Sequence, residues 1–291
     1  MSKHATPSTQ NDLEDLTRRD FIKTTLAGFA AASSASVAFG AAQTASDGTP
    51  DAESLAVRLA GGLSAAQRRA VVLPYDDPRR LVVAPNWRIN DQRIDKLFNG
   101  RQQAMIRSIF LRLHGPAYAQ AALDQVERDN GNGGLGSCSV ALFGSPRTPD
   151  RFEFVLTGRH VTRRCGAEAG AWAGPVFLGG PQSPFAAAAD RAGQLFGTLG
   201  AVRARSQDGS SLSAGEMGIV RDALAQMLQP LRAQDVQNTL KRFDACRADD
   251  NRLTVIDGTM RPGWLIQGPR MTWDLSIRPH AHTWLHIREE A

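Results

Sequence analysis

The chain has 291 residues, of which 42% are hydrophobic and 22% are charged. This composition is typical of a globular protein and excludes a disordered one. The formal net charge is +5, and the positive charges belong to 30 arginines and 4 lysines that are spread along the chain. A nucleic-acid-binding protein concentrates its basic residues in a stripe or run, so this distribution argues against nucleic acid as a partner.

Residues 1–42 have the pattern of a twin-arginine signal peptide. Arg18 and Arg19 precede a weakly apolar run at 24–39, which is too short and too weakly apolar for a transmembrane helix. Small residues follow it. We therefore expect recognition by the twin-arginine export machinery and cleavage near 40–42. The product would be a soluble protein in the periplasm or outside the cell, with no stable membrane span.

The mature chain predicts a small-residue linker at 43–50 and then one domain at 51–291. Helical periodicity and capping residues predict a helical N-terminal part and further helices between later strands. The predicted helices lie at 51–60, 64–74, 101–113, 116–128, 185–199, 214–228 and 233–248.

Apolar and alternating runs predict strands, which lie at 137–143, 152–160, 174–181, 263–267 and 271–287. The fold class is therefore α+β, with N-terminal helices and a mostly antiparallel sheet with inserted helices. The glycine-rich stretch at 130–136 lacks the strand before it and the Lys-Ser/Thr after it that a phosphate loop requires, so we interpret it as a flexible connector.

The cysteines Cys138, Cys165 and Cys246 show no Cys-x-x-Cys spacing, which leaves a zinc ribbon and covalent haem unsupported. We interpret them as structural, partly buried thiols. One disulfide is compatible with an oxidising compartment.

The C-terminal stretch RPHAHTWLH, at 278–286, contains three of the six histidines. On one straight strand, His280, His282 and His286 share the polar face, and the first two have Cα atoms about 6.6 Å apart. That spacing suits two imidazoles on one metal ion, whereas His286 is about 13 Å from His282 and is excluded. The alternative is that all three are solvated on a polar strand face.

A metal site needs a third ligand, and His160 is the best candidate because it continues the inward face of the strand at 152–160. Cys165 and Glu153 are weaker candidates. His160, His280 and His282 would form an arrangement familiar for zinc, copper or iron with an open coordination position. Arg159 and Arg278 are then available to bind an anionic substrate.

Several stretches together resemble an uncharacterised exported family, domain of unknown function 3500: LFGSP (142–146), FEFVLTGRH (152–160), GPVFLG (174–179) and HAHTW (280–284). The segment LSAAQRRAVVLPYDDPRR (63–80) resembles the family's opening helix and turn, so the resemblance covers about 55–285. The family pattern is His-x-His-x-x-Trp. Here Trp284 follows His282 by two places, which puts an inherited role for this Trp in doubt. The resemblance implies the domain and the histidine positions, and it implies no reaction.

Two functions remain open from the sequence. The first is an exported metalloenzyme, a hydrolase or an oxidoreductase, that acts on a small molecule. The second is a non-catalytic envelope protein that binds a small molecule or a protein partner. A serine hydrolase is a distant third, because the sequence has no nucleophile-elbow motif.

Overall fold

The computed structural model describes residues 50–166, 174, 176–203, 210–247, 250–256, 263–276 and 279–288. The predicted signal peptide at 1–42 and nearly all of the linker lie outside these residues. Within them, no helix has the length and apolar character that a membrane-crossing segment requires.

The helices are α1 (Ala52–Gly61), α2 (Ala65–Val71), α3 (Ile94–Leu97), α4 (Gly100–Arg112), α5 (Ala119–Asp129), α6 (Pro184–Arg203), α7 (Ala214–Leu228) and α8 (Ala233–Asp244). Side chains cap several of them as the sequence predicts. Ser64 and Gln67 form a capping box at α2, and Ser213 and Glu216 form another at α7. The predicted helices are therefore confirmed, with shifts of a few residues at their ends.

The strands are β1 (Val72–Leu73), β2 (Ser139–Gly144), β3 (Phe152–Gly158), β4 (Val161–Gly166), β5 (Val176–Gly179), β6 (Ser210–Ser211), β7 (Arg252–Ile256), β8 (Gly263–Gln267), β9 (Met271–Ser276) and β10 (His282–Ile287). They form one sheet in the order β1-β2-β3-β4-β5-β10-β9-β8-β7-β6. The pairing of β1 with β2 is parallel and the other pairings are antiparallel. The predicted α+β class, with a mostly antiparallel sheet, is confirmed.

Helices cover one face of the sheet with two apolar clusters. The first joins α1, α4 and α5 to β2, β3 and β4, and includes Phe110 and Phe154. The second joins α6, α7 and α8 to β5 and β7–β10, and includes Phe185 and Trp273. The sheet continues from one cluster to the next, so both helical groups rest on a common framework.

The opposite face of the sheet carries a smaller cluster that includes Ile89, Phe143 and Val155. The backbone N–H of Ile89 donates 2.9 Å hydrogen bonds to the hydroxyls of Ser139 and Thr157, which ties the segment between β1 and α3 to this face. Cross-strand partners share a face. Thr157 pairs with Thr162, which pairs with Phe177, and Phe177 pairs with Trp284, so Phe177 and Trp284 lie on this side too.

The predicted single strand at 271–287 is wrong. Two antiparallel strands, β9 and β10, occupy this range, and Ser276 pairs with His282 across the connection. His280 precedes β10 and is not a strand residue. The predicted alternation of apolar and polar residues still holds across the two strands. Odd-numbered residues pair with odd-numbered residues, such as Trp273 with Leu285, so their side chains lie on the same face of the sheet in both strands.

The predicted strand at 152–160 ends earlier than expected. Gly158 pairs with Val161, so Arg159 and His160 form the turn of a hairpin and β4 follows it. His160 has a φ of 56°, which is incompatible with a continuing strand. The predicted position of His160 on an inward strand face is therefore wrong, although the residue is buried.

The glycine-rich segment is ordered into a short 3₁₀ helix at Gly131–Ser137 and is not a flexible connector. Gly134 interrupts it with a φ of 48°, and a Cβ there would collide with the Glu127 carboxylate. The same carboxylate accepts a hydrogen bond from the backbone N–H of Leu135. Glycine is needed because both the dihedral angle and the close contact exclude a side chain.

The cysteines are free thiols in the described part of the chain. Cys138 and Cys165 are buried, and Cys246 is half-buried. Burial raises the pKa of the Cys138 thiol to about 12, and it raises that of Cys165 well above the usual range. These thiols pack as small apolar side chains, as the sequence predicts.

Candidate metal centre

His160 is fixed at the tip of the β3–β4 hairpin. Its backbone N–H donates a 2.6 Å hydrogen bond to the carbonyl oxygen of Pro85. Histidine tolerates the left-handed conformation better than most residues with a side chain, so the turn can present the imidazole without glycine. The side chain is only 8% exposed.

His280 and His282 approach from the start of β10. His282 opens the strand and pairs with Gly179, the last residue of β5. The next residue, Gly180, has a φ of 105°, and a Cβ there would lie within 3.0 Å of Gln125, Asp129 and His160. Glycine at this position lets the end of β5 pass beside the histidines.

The three imidazoles converge. Nε2 of His280 lies 3.2 Å from Nε2 of His160 and 2.7 Å from Nε2 of His282. One ring nitrogen from each residue lies within 4.8 Å of the others. Metal–nitrogen bonds of 2.0–2.1 Å in a tetrahedron give nitrogen separations of about 3.3 Å, so the spacing fits one ion after small side-chain shifts. The predicted convergence of His160 with His280 and His282 is confirmed.

Asp129, the last residue of α5, orients His160. Its Oδ2 lies 3.0 Å from Nδ1 of His160, and the side-chain amide of Gln125 donates a 2.8 Å hydrogen bond to the same oxygen. Burial opposes ionisation of Asp129, but the hydrogen bonds from His160 and Gln125 outweigh it and lower the pKa of the carboxyl. The ionised carboxylate keeps a proton on Nδ1 of His160, so Nε2 presents its lone pair to the other histidines.

The aromatic ring of Phe177 packs against two of the three histidines. Phe177 on β5 is fully buried, and its ring centroid lies 6.3 Å from that of His160 and 5.4 Å from that of His282. Burial lowers the pKa of His280, and the neighbouring His160 and the charge of Arg159 act in the same direction against the opposing effect of Asp129. A neutral His280 is the form that binds a metal ion.

The other predicted residues have different positions. Arg159 is exposed beside His160, and its charge contributes to the lowered pKa values of His280 and Asp129. Arg278 lies outside the described residues. His286 lies on β10 beyond Trp284 and is not part of the three-histidine group, as predicted.

The two weaker ligand candidates are also outside the group. Glu153 is buried in ion pairs with Arg80 at 3.4 Å and Arg164 at 3.3 Å. Cys165 lies in the apolar cluster on the helical face of the sheet.

No protein-family model, curated protein or solved structure matches the chain. The resemblance to domain of unknown function 3500 stays a prediction.

Proposed function

We propose that this protein is an exported metalloenzyme whose metal ligands are His160, His280 and His282. The ion is a divalent transition metal, namely zinc, copper or iron, because neutral imidazoles suit these metals. Three protein ligands leave a coordination position open for a small-molecule substrate, as hydrolases and oxidoreductases require. The observation that carries the proposal is the convergence of three Nε2 atoms beside a carboxylate that fixes the tautomer of one of them.

Hydrogen bonding alone accounts poorly for this cluster. A ring nitrogen offers either one proton or one lone pair, so Nε2 of His280 cannot make two full hydrogen bonds to the two Nε2 atoms that it contacts. His160 is already committed, because its proton lies on the nitrogen facing Asp129. A cation that accepts three lone pairs removes the conflict.

The chain's own residues would divide the remaining tasks. Asp129 and Gln125 hold His160 in one orientation, and Phe177 shields the inner side of the cluster from water. Arg159 offers a guanidinium at the exposed side, where it can pair with an anionic group of a substrate. Arg278 remains a proposed second anion ligand from the sequence. A bound metal would polarise a substrate oxygen at the open position.

Zinc binding by the full chain tests this proposal. We expect one zinc ion per chain in competition with a chromophoric chelator, and no stoichiometric binding by the His280→Ala variant. The matched control is His286→Ala, which removes an imidazole from β10 outside the three-histidine group. A wild-type protein that fails to compete for zinc, copper(II) or iron(II) would contradict the proposal and favour a non-catalytic protein with hydrogen-bonded histidines.

A further inference from the structure

An open cleft lies at Trp284, which follows His282 by two residues on β10. One side is the segment after the turn at Pro78–Leu81, and the other side is formed by β9 and β10. Its volume is about 180 Å³, and its lining residues are Leu81, Val83, Thr272, Trp284, Leu285 and His286. The segment side is apolar, and the strand side combines Trp284 and Leu285 with the polar Thr272 and His286.

Trp284 links the cleft to the histidine cluster, because it lines the cleft and its ring is next to that of His282. Side chains two residues apart on a strand point to the same face, so Trp284 follows His282 on that face at a distance of about 6.6 Å along the strand. The ring centroids of Trp284 and His282 lie 6.0 Å apart. Phe177 touches both, with its ring centroid 5.2 Å from that of Trp284 and 5.4 Å from that of His282. A molecule that reaches the histidines can therefore extend over Trp284.

The surface at the cleft has the character of an apolar binding site. Leu81 is 52% exposed and Val82 is 45% exposed. Within the described residues, these are the large hydrophobic residues that are exposed to solvent. Leu81 belongs to the cleft lining and Val82 does not. A cavity of about 150 Å³ accommodates benzene, so a volume of this size suits one aromatic ring. The Trp284 indole offers a flat surface for ring stacking.

We propose that the substrate carries an aromatic ring, which lies on Trp284 beside Leu81 and Val83 while its polar group reaches the metal centre. The inference rests on the proposed metal site and adds the substrate class. The ring position is set by the spacing of His282 and Trp284 on β10. Specificity for aromatic over small aliphatic substrates then comes from Leu81 and Trp284, which are not metal ligands.

Two hydroxamates of different size test this inference, because their common chelating group binds the metal and only one carries a ring. Isothermal titration calorimetry of the zinc-loaded full chain would give the dissociation constants of benzohydroxamate and acetohydroxamate. We expect benzohydroxamate to bind about tenfold more tightly, equivalent to about 1.4 kcal/mol.

Two neighbouring variants provide the control. Leu81→Ser replaces an exposed side chain that lines the cleft, and it should reduce the preference for benzohydroxamate several-fold while leaving the affinity for acetohydroxamate unchanged. Val82→Ser replaces an exposed side chain outside the cleft, and it should leave both affinities unchanged. Trp284→Ala should also reduce the preference, with zinc stoichiometry measured in parallel to show that His282 is still in place.

The outcomes separate the two proposals. Equal affinity of the wild-type protein for both hydroxamates, at full zinc occupancy, would overturn the aromatic substrate class and leave the metal site standing. A preference that Leu81→Ser and Val82→Ser reduce equally would overturn the cleft as its source. A protein that binds no metal would overturn the proposed function, and this inference with it.

Discussion

Asp129 and His160 are 31 residues apart in the chain and are joined by a 3.0 Å contact between Oδ2 and Nδ1. The first ends a helix and the second forms the turn of a hairpin, so tertiary packing alone creates the pair. A carboxylate on the far nitrogen of a histidine ligand fixes its tautomer and raises its basicity. Asp129 is therefore the residue through which α5 orients His160, one of the proposed metal ligands.

Asp129→Asn should weaken zinc binding about 10–100-fold, the usual effect of losing such an outer carboxylate. The amide keeps the size of the side chain and removes its charge. Asp124→Asn is the matched control, because Asp124 is exposed on the same helix and contacts only Gln120 among the hydrogen bonds of the described residues. Competition titration with a chelator gives both affinities. Equal affinities for Asp129→Asn and Asp124→Asn would contradict the orienting role.

The three C-terminal histidines should differ in their effect on metal content. His280→Ala and His282→Ala should each abolish stoichiometric zinc, since each removes one of the converging nitrogens. His286→Ala should retain one zinc ion per chain, because His286 lies beyond Trp284 on β10. Plasma mass spectrometry of the purified variants provides the measurement. Loss of zinc from all three variants would require a different arrangement of this strand.

The histidine cluster was predicted partly from the alternation of apolar and polar residues at 271–287, which comes from two paired strands and not from one straight strand. The alternation at 271–287 looked like one strand because Ser276 pairs with His282, and this register keeps side chains of equal parity on the same face. His280 and His282 therefore converge at a strand start, and not along a straight strand. The predicted convergence of these histidines with His160 is confirmed, while the geometric reason given for it was wrong.

Other parts of the site had no local signal in the sequence. His160 looked like the end of a strand, and its turn conformation depends on β4, which Arg163 and Arg164 made difficult to predict as a buried strand. Asp129 and Gln125 belong to a polar stretch of α5 and become site residues only when the hairpin tip packs against that helix. The helices were predictable because capping and periodicity are local properties.

The stability of the apoprotein should fall as the pH falls below about 6.5. His114 is buried, with Nδ1 at 2.9 Å from the carbonyl oxygen of Phe110, and Nε2 accepts a 3.0 Å hydrogen bond from Nε of Arg163. Burial is the largest cause, and the charge of Arg163 the second, of a pKa of His114 that lies well below its usual value. The unfolded chain then binds more protons than the folded one, so the stabilisation is complete above about pH 6.5 and is lost as the pH decreases.

One histidine that stays neutral in the folded state corresponds to a loss of about 1.4 kcal/mol between pH 7.5 and 5.5. His280, whose pKa burial also lowers, adds to the loss in the same direction. Urea unfolding of chelator-treated protein at the two pH values gives the difference for the wild type and for His114→Gln. The variant should show a difference smaller by about 1.4 kcal/mol. An unchanged pH dependence in the variant would show that His114 is not its source.

Export should depend on Arg18 and Arg19, which we propose as the recognition pair of a twin-arginine signal. Replacing both with lysine conserves the charge and should retain the uncleaved precursor in the cytoplasm. Replacing Lys3 with arginine is the control, because Lys3 lies outside the twin-arginine motif, and it should leave export unchanged. Cell fractionation and N-terminal sequencing give the location and the cleavage site. Normal export of the double lysine variant would contradict the proposed route.

The most direct test of the metal centre is an anomalous-difference map from crystals of the zinc-loaded protein, collected at the zinc absorption edge. We expect one peak at about 2.0–2.1 Å from a ring nitrogen of each of His160, His280 and His282, with Nδ1 of His160 still facing Asp129. Full-occupancy density at any other group of residues, or a map with no peak at the three histidines of the zinc-loaded protein, would contradict it.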